Sequence, residues 1–156
     1  MRGPEWRKFS AGGEKTLFRL SAGVAVPPRV VVCEAAIDTL SLAALEGPRA
    51  DTLYTATAGG MGPATMVALC HILTALSGEG SATIVAATDA DGAGRHHAAR
   101  LKELAVEACV SFAEILPPGG LNDWNDAIRS LSRGADSRGQ HELTMSPIAK
   151  FRFGTA

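Results

Sequence analysis

Four short apolar runs lie along the chain, each bounded by glycine, proline or polar residues. Continuous apolar runs of this length are typical of strands that are buried on both faces of a sheet. They predict strands at 30–33, 52–57, 83–88 and 110–115. A further run at 16–20 predicts a short strand ahead of them.

Between these runs, apolar residues recur at the three- and four-residue spacing of amphipathic helices. This spacing predicts helices from Ile37 up to Gly47, from Pro63 up to Gly78, from about Gly94 to Ala108, and after Asp123, which is a predicted N-cap. The residues expected to face the sheet are Ile37, Leu40, Ala44 and Leu45 in the first helix, Met66, Leu69, Leu73 and Leu76 in the second, Leu101, Leu104, Ala105 and Ala108 in the third, and Trp124, Ala127, Ile128 and Leu131 in the fourth.

Strands and helices alternate with short connections, which favours right-handed crossovers between parallel strands. We therefore predict an α/β fold in which a mainly parallel four-stranded sheet is flanked by helices on both faces. One domain over 29–131 accounts for the pattern. It is preceded by a basic segment with a short strand over 1–28 and followed by a C-terminal tail over 132–156.

The composition is that of an ordinary globular protein, with 46% hydrophobic and 20% charged residues and a formal net charge of −1. This near-neutral balance argues against nucleic acid bound over the whole surface. Positive charge is nevertheless concentrated at the two ends, because residues 1–20 and 129–156 each contain five basic and two acidic residues. We interpret these flanks as solvated arms, with polyanion binding as the alternative.

The three cysteines, Cys33, Cys70 and Cys109, are far apart and lie in apolar surroundings, which predicts buried thiols in a reducing cytoplasm. No pair of them has the spacing of a zinc site. The N-terminus is polar and basic, unlike a secretory signal, and the apolar stretch over 30–45 is interrupted by acids. We therefore predict a cytoplasmic protein with no membrane partner.

Two of the apolar runs end on carboxylates. Glu34 follows the first run, and Asp89 and Asp91 follow the third. Because ligands bind beyond the carboxyl ends of parallel strands, these acids are expected to lie side by side at one edge of the sheet. Clustered carboxylates raise one another's pKa unless a cation neutralises them, and oxygen ligands suit Mg²⁺, with Mn²⁺ as a substitute. We predict that Glu34, Asp89 and Asp91 are metal ligands. For any one of these acids alone, a helix N-cap or a solvated loop residue is the alternative.

Glycines near these acids indicate a phosphate site. Gly92 and Gly94 permit a tight turn into a helix whose N-terminal amides favour an anion, and Arg95 follows them. The glycine loop at 59–62 lacks the Lys-Ser/Thr pair of a P-loop, so turn geometry remains its alternative. The predicted substrate-binding residues are Gly60, Gly62, Gly94 and Arg95.

Three further acids keep two interpretations each. Asp38, one helical turn after Glu34, either reaches the metal through water or favours the N-terminus of its helix. Asp123 and Asp126 either cap and solvate the last helix or line the acidic pocket from the far side. His71 is predicted to be packed or peripheral, and His96 and His97 are predicted to be surface residues.

Three segments together resemble the Toprim domain, the metal-binding fold shared by bacterial primases, type IA and type II topoisomerases and certain nucleases. They are VVVCEAAIDTLS at 30–41, ATDADGAGR at 87–95 and LNDWND at 121–126. The resemblance covers about 5–131 and is strongest to the Toprim-like module of plasmid and integrative-element DNA primase-type proteins.

This resemblance implies a Rossmann-like Toprim fold in which Glu34 is the catalytic glutamate, as general acid/base or metal ligand, and Asp89 and Asp91 are the Mg²⁺-binding pair. It thereby implies that all three acids are catalytic residues. It implies DNA or RNA and nucleoside triphosphates as substrates. Other replication or primase domains are expected as partners, because the sequence has no zinc-ligand set like that of complete primases.

The expected function is the catalytic part of a primase-like nucleotidyl transferase from a mobile element. Two alternatives remain open. One is a small Toprim nuclease that hydrolyses phosphodiesters in DNA or RNA. The other is a non-catalytic accessory module that binds a metal or a protein.

Overall fold

The computed structural model describes residues 2–3, 6–7, 16–21, 27–47, 49–78 and 80–136. Most of both basic flanks, and residues 137–156 of the predicted tail, lie outside the described residues. The described helices are α1 (Ala36–Glu46), α2 (Pro63–Ser77), α3 (Gly92–Glu107) and α4 (Trp124–Asp136), with a single 3₁₀ turn at Pro118–Gly120. The described strands are β1 (Arg2–Gly3), β2 (Trp6–Arg7), β3 (Phe18–Ser21), β4 (Arg29–Cys33), β5 (Thr52–Ala56), β6 (Thr83–Ala86) and β7 (Ser111–Glu114).

The central sheet has five strands in the order β3-β5-β4-β6-β7. β4 pairs in parallel with both β5 and β6, and β6 pairs in parallel with β7. β3 is antiparallel to β5 and forms one edge. The prediction of an α/β fold with a mainly parallel sheet is confirmed, and the run at 16–20 contributes a fifth strand to the four that were expected. β1 and β2 form a separate two-stranded ladder.

Side chains of β4 alternate between two cores, one on each face of the sheet. Val30 and Val32 pack toward α2 and α3, in a cluster with residues such as Leu69 and Leu101. Val31 packs on the opposite face, in a cluster with Leu42 of α1, Trp124 of α4 and their neighbours. The three valines are 0–1% exposed, as expected for a strand covered on both faces.

The orientation of α1 about its own axis differs from the prediction. Ile37 and Leu40, expected to face inward, are 49% and 46% exposed. The buried residues are instead Asp38, Thr39, Ser41 and Leu42. The cause is polar: the Thr39 hydroxyl bonds to carbonyl oxygens, including that of Thr55, and Asp38 accepts a hydrogen bond from the start of α4. These hydrogen bonds hold α1 in an orientation that buries its polar residues and leaves Ile37 and Leu40 exposed.

Other burial predictions have mixed outcomes. The inner faces predicted for α2 and α3 are confirmed by buried residues such as Leu73 and Leu104, whereas Leu131 of α4 is 63% exposed. Cys33 is buried as predicted, but Cys70 and Cys109 are exposed, so the prediction of buried thiols is wrong for those two. Within the described ranges, no helix combines the length and the apolar character needed to cross a bilayer.

Candidate metal-binding site

Glu34 and Asp89 meet at the carboxyl edge of the sheet. Glu34 directly follows β4, and Asp89 lies three residues after the end of β6, the neighbouring parallel strand. The Glu34 side chain is 14% exposed, and its Oε1 accepts a hydrogen bond from the Asp89 backbone N–H at 3.3 Å. The structure therefore brings together two of the three acids proposed as ligands.

The Asp89 carboxylate lies in an electrostatically unfavourable position. Its Oδ1 atom is buried and has no hydrogen-bond partner. Burial raises the pKa of Asp89 to about 7, and the negative charges of Glu34, Asp38, Asp123 and Asp91 contribute in that order. A buried carboxylate oxygen without a partner, surrounded by negative charge, is the environment that a divalent cation relieves.

Asp91 has a different local role. It is the N-cap of α3, and its Oδ1 accepts a hydrogen bond from the Gly94 N–H at 2.8 Å. Across the described ranges, no three His, Cys, Asp or Glu groups form a preassembled metal cluster. The donor set still fits Mg²⁺, because Glu34 and Asp89 offer paired carboxylates. The cap engages Oδ1, so Oδ2 is the oxygen that Asp91 would offer to a cation.

The secondary acids are placed mainly by helix capping. Asp38 is 5% exposed and accepts a hydrogen bond from the Asn125 N–H at 3.1 Å, and burial raises its pKa. Asp123 is placed to cap α4, because its Oδ1 accepts from the Asp126 N–H at 2.7 Å. Asp126 lies 3.7 Å from Arg129. Asp38 was predicted to favour the N-terminus of its own helix, α1, but the N-terminus that it contacts is that of α4. Asp38 and Asp123 both add negative potential at Asp89.

Residues 121–126, which we call the clasp segment, join the acid-bearing loops. The Asn122 carbonyl accepts a hydrogen bond from the Ala90 N–H at 2.8 Å. The indole Nε1 of Trp124 donates to the Ala87 carbonyl at 2.9 Å, and Trp124 is 6% exposed, as predicted for a core anchor. Because Asn125 also binds Asp38, the clasp segment fixes the loop that carries Asp89 and Asp91 against the start of α1.

Gly94 permits a close approach between α3 and the Asp89 loop. A Cβ atom at Gly94 would lie 1.9 Å from the Asp89 carbonyl oxygen, far inside van der Waals contact. Arg95, the next residue, is exposed, and its guanidinium donates to the Ala90 carbonyl at 3.4 Å. Substrate contacts by Gly94 and Arg95 remain a prediction. The geometry at Gly94 leaves no space for a side chain.

The glycine loop at 59–62 lies beside Glu34. The Gly59 N–H donates to the Glu34 carbonyl at 2.9 Å. Gly59 and Gly60 have φ values of 86° and 150°, in the region that favours glycine. Gly62 is the N-cap of α2 and has open space where a side chain would project. The predicted substrate contacts at Gly60 and Gly62 therefore remain predictions for a loop that borders the acids.

His97 is a site residue that the sequence analysis assigned to the surface, and that prediction is wrong. Its Nδ1 lies 3.0 Å from Glu34 Oε2, and its side chain is 19% exposed. The two atoms approach without the alignment of a directed hydrogen bond. Helical spacing was the available signal, because His97 lies three residues after Gly94 and four before Leu101, which are both buried. His96 is exposed, as predicted.

A family model described as Toprim-like matches residues 31–128, which is more than half of the chain. The chain belongs to the Toprim-like family. The match begins in β4 and ends in α4, so it contains Glu34, Asp89, Asp91 and the clasp segment. Toprim domains generally bind Mg²⁺ through acidic residues and act on nucleic acid. No curated protein and no solved structure matches this Toprim-like chain significantly.

Proposed function

We propose that this protein is a Mg²⁺-dependent phosphoryl-transfer module for nucleic acid, and specifically the catalytic part of a primase-like nucleotidyl transferase from a mobile element. The observation that carries the proposal is the unpartnered, buried Oδ1 of Asp89 beside the Glu34 carboxylate, at the carboxyl edge of the sheet. Their negative charges would repel each other and a phosphate of the substrate. A cation bound beside both carboxylates would relieve that repulsion.

In this proposal Asp89 and Asp91 would hold the metal ion, and Glu34 would be either a further ligand or the general base. The metal ion would neutralise phosphate charge and polarise the phosphoryl group. A 3′-hydroxyl oxygen would attack the α-phosphorus of a nucleoside triphosphate. A bond forms between these two atoms while the bond from the α-phosphorus to the bridging oxygen of the β-phosphate breaks, and pyrophosphate leaves with that oxygen. As general base, Glu34 would accept the hydroxyl proton, because it directly follows β4 and 14% of its side chain is accessible.

The start of α3 would receive the phosphate groups. Helix N-termini present backbone N–H groups that favour anions, and α3 has 16 residues. Arg95, exposed in its first turn, would add a cationic donor to a phosphate oxygen. Asp91 would fix this turn through its bond to the Gly94 N–H while it contributes to the metal site.

The proposal extends to the setting of the module. We propose that residues 29–131 form the catalytic unit, that other replication or primase domains supply template binding, and that the protein acts in the cytoplasm. The family match over 31–128 supports the first of these points.

Parallel extension and cleavage assays test the function. The full chain is titrated with Mg²⁺ or Mn²⁺ in the presence of a labelled primed template and nucleotides, and separately with a labelled strand alone. We expect extension that Glu34→Gln and Asp89→Asn each lower by at least about 100-fold, as removal of a catalytic group does. The control is Glu107→Gln, an exposed acid at the C-terminal end of α3.

The outcomes separate the alternatives. Metal-dependent cleavage without extension would replace the transferase with a nuclease. Equal activity of wild type and both site variants would contradict catalysis at these acids and favour an accessory module.

A further inference from the structure

A cavity of about 380 Å³ opens between the glycine loop, α2 and α3. Its size is in the range of pockets that hold small organic ligands. The residues that line it are Met61, Met66, His96, His97 and Arg100. We call it the Met–Arg groove.

The Met–Arg groove adjoins the metal-binding site through His97. The His97 ring lines the groove, and its Nδ1 is 3.0 Å from Glu34 Oε2. A strand whose reacting phosphate lay at Glu34 and Asp89 would therefore place an adjacent nucleotide in the groove.

The groove also has the chemistry of a nucleotide site. The described residues that line it include a guanidinium and two imidazoles and no carboxylate, in contrast to the acidic edge beside it. Arg100 is paired with Glu103, but both side chains are largely accessible, at 42% and 61% exposure. Exposed ion pairs contribute little to stability, so Arg100 can exchange Glu103 for a phosphate oxygen.

Two methionines form the apolar part of the groove. Met61 and Met66 both pack against the core while they line the cavity. Methionine is polarizable and makes favourable contacts with aromatic rings, a class that includes the nucleobases. An apolar wall opposite a cationic one matches an unpaired base with its phosphate, because bases of single strands are free to leave the stack.

We propose that the Met–Arg groove binds the nucleotide next to the reacting phosphate on a single strand of nucleic acid, with Arg100 on its phosphate and Met61 and Met66 against its base. This inference rests on the proposed function, since it assigns a substrate subsite to the same centre. It adds a binding determinant on α3 that lies outside the acid motifs.

Strand binding by the full chain tests the groove. Anisotropy of labelled single-stranded DNA and RNA oligonucleotides is measured in EDTA over a range of salt concentrations. Arg100→Gln is expected to weaken binding by about 3–10-fold near 50 mM salt and to lower the slope of log affinity against log salt by about 0.7, as loss of one phosphate contact does. Equal losses with DNA and RNA are expected, because the phosphate that Arg100 would contact is common to both.

The matched control is Lys102→Gln, which removes one positive charge from the same helix. Lys102 lines a different surface with Glu103 and Val106, away from the groove. It should change affinity by less than about 2-fold. A strand with one abasic position provides a test that leaves the protein unchanged, and we expect it to bind the wild type more weakly than the intact strand does.

Three outcomes would overturn the groove: Arg100→Gln binding as tightly as wild type, equal losses in Arg100→Gln and Lys102→Gln, or an abasic strand that binds as well as the intact one. If any of these occurs while extension still depends on metal and on Asp89, the groove does not bind the strand as proposed, but the proposed function is unaffected. Absence of both strand binding and metal-dependent activity removes the two together.

Discussion

At the scale of single residues, Gly94 and Asp89 constrain each other through the contact between the start of α3 and the Asp89 backbone. The Gly94 Cα faces the Asp89 carbonyl with no room for a methyl group, whereas a Cβ at Gly92 would meet only the end of the Arg95 side chain at 3.8 Å. Two glycines in one helical turn therefore have different structural requirements, which makes them a matched pair.

Gly94→Ala is expected to lower the free energy of unfolding by at least about 2 kcal/mol, because the backbone clash must displace the Asp89 loop. Gly92→Ala is expected to be neutral or to stabilise by up to about 1 kcal/mol, since alanine favours a helix more than glycine does. Urea unfolding of both variants, with Mg²⁺ affinity measured on each, checks the contrast. Equal effects of the two substitutions would contradict the close approach.

Asp89 is the residue at which stability and metal binding are expected to conflict. Its pKa is raised to about 7, from an ordinary value near 3.8. The folded state therefore binds a proton more tightly than the unfolded chain does, and stability is lost as the pH rises through this interval. A neutral side chain at position 89 would remove this loss of stability at high pH.

In EDTA at pH 8, Asp89→Asn is expected to raise the free energy of unfolding by about 1–2 kcal/mol, an amount reduced by solvent screening of the site. The gain should disappear below about pH 4, where the carboxyl group is protonated in both states. Chemical denaturation at the two pH values measures it against Glu103→Gln. A variant no more stable than wild type at pH 8 would contradict a destabilising effect of burial and of neighbouring charge on the Asp89 carboxylate.

At the scale of elements, the four parallel strands β4 to β7 and the four helices could be predicted, because these strands lie in short, largely apolar runs and each helix has a regular apolar stripe. α2 illustrates this, since Leu69, Leu73 and Leu76 are buried as predicted. The face of α1 could not be predicted, because Asp38 and Thr39 are buried by partners that lie far along the chain. A polar contact with α4 outweighed the local apolar pattern of Ile37 and Leu40.

Trp124 of the clasp segment is the residue whose substitution should affect the site without changing an acid. Trp124→Phe keeps an aromatic ring but removes the hydrogen bond to the Ala87 carbonyl and leaves a smaller side chain. We expect a loss of about 2–3 kcal/mol in the free energy of unfolding, from an unsatisfied buried carbonyl and incomplete packing. We also expect weaker Mg²⁺ binding, because Ala87 leads directly to Asp89.

The control for this prediction is Leu131→Ala on the same helix, which removes a side chain that is 63% exposed and should change stability by less than about 0.5 kcal/mol. Thermal or urea unfolding and a metal titration are the two measurements. Unchanged metal affinity in Trp124→Phe would show that the clasp segment stabilises the fold without positioning the acids.

At the scale of the whole molecule, the site and a charge cluster lie at opposite ends of the sheet. Arg29 at the start of β4 donates to both oxygens of Glu46 at the end of α1, at 2.8 and 2.7 Å, and the Tyr54 hydroxyl donates to Glu46 at 2.5 Å. The Arg29 and Glu46 side chains are 19% and 22% exposed. This cluster joins β4, α1 and β5 away from the acids.

The cluster predicts a pH dependence of stability that is separate from the metal site. Burial opposes it, but the hydrogen bonds from Arg29 and Tyr54 lower the pKa of Glu46 below its ordinary 4.5. A lowered pKa contributes stability that is present above pH 4.5 and is lost as the pH falls through the folded value. Glu46→Gln should therefore cost about 1–3 kcal/mol at pH 7 and progressively less in acid. Unfolding curves from pH 3 to 7 check this, and a cost that does not vary with pH would contradict it.

The candidate site was predictable only in part. The order of strands brought Glu34 and Asp89 to one edge, and this followed from two apolar runs that end on acids. The cap that Asp91 forms with Gly94 is a local contact between residues three apart. The contact of His97 with Glu34, in contrast, depends on how α3 is rotated and how closely Gly94 lets it approach. The rotation and approach of α3 arise from packing between segments that are distant along the chain. Local sequence patterns do not reveal such packing.

The clasp segment also has a consequence for how the protein is made. The tie between Trp124 and Ala87 spans 37 residues, and the one between Asn125 and Asp38 spans 87. At a ribosomal rate of about 5–20 residues per second, Trp124 is joined to the nascent chain roughly 2 to 7 seconds after Ala87. During that interval the strand ends that carry the acids have already been synthesised but are not yet braced. Competence to bind the cation is thus expected to arise only after almost all of the Toprim-like region has left the ribosome.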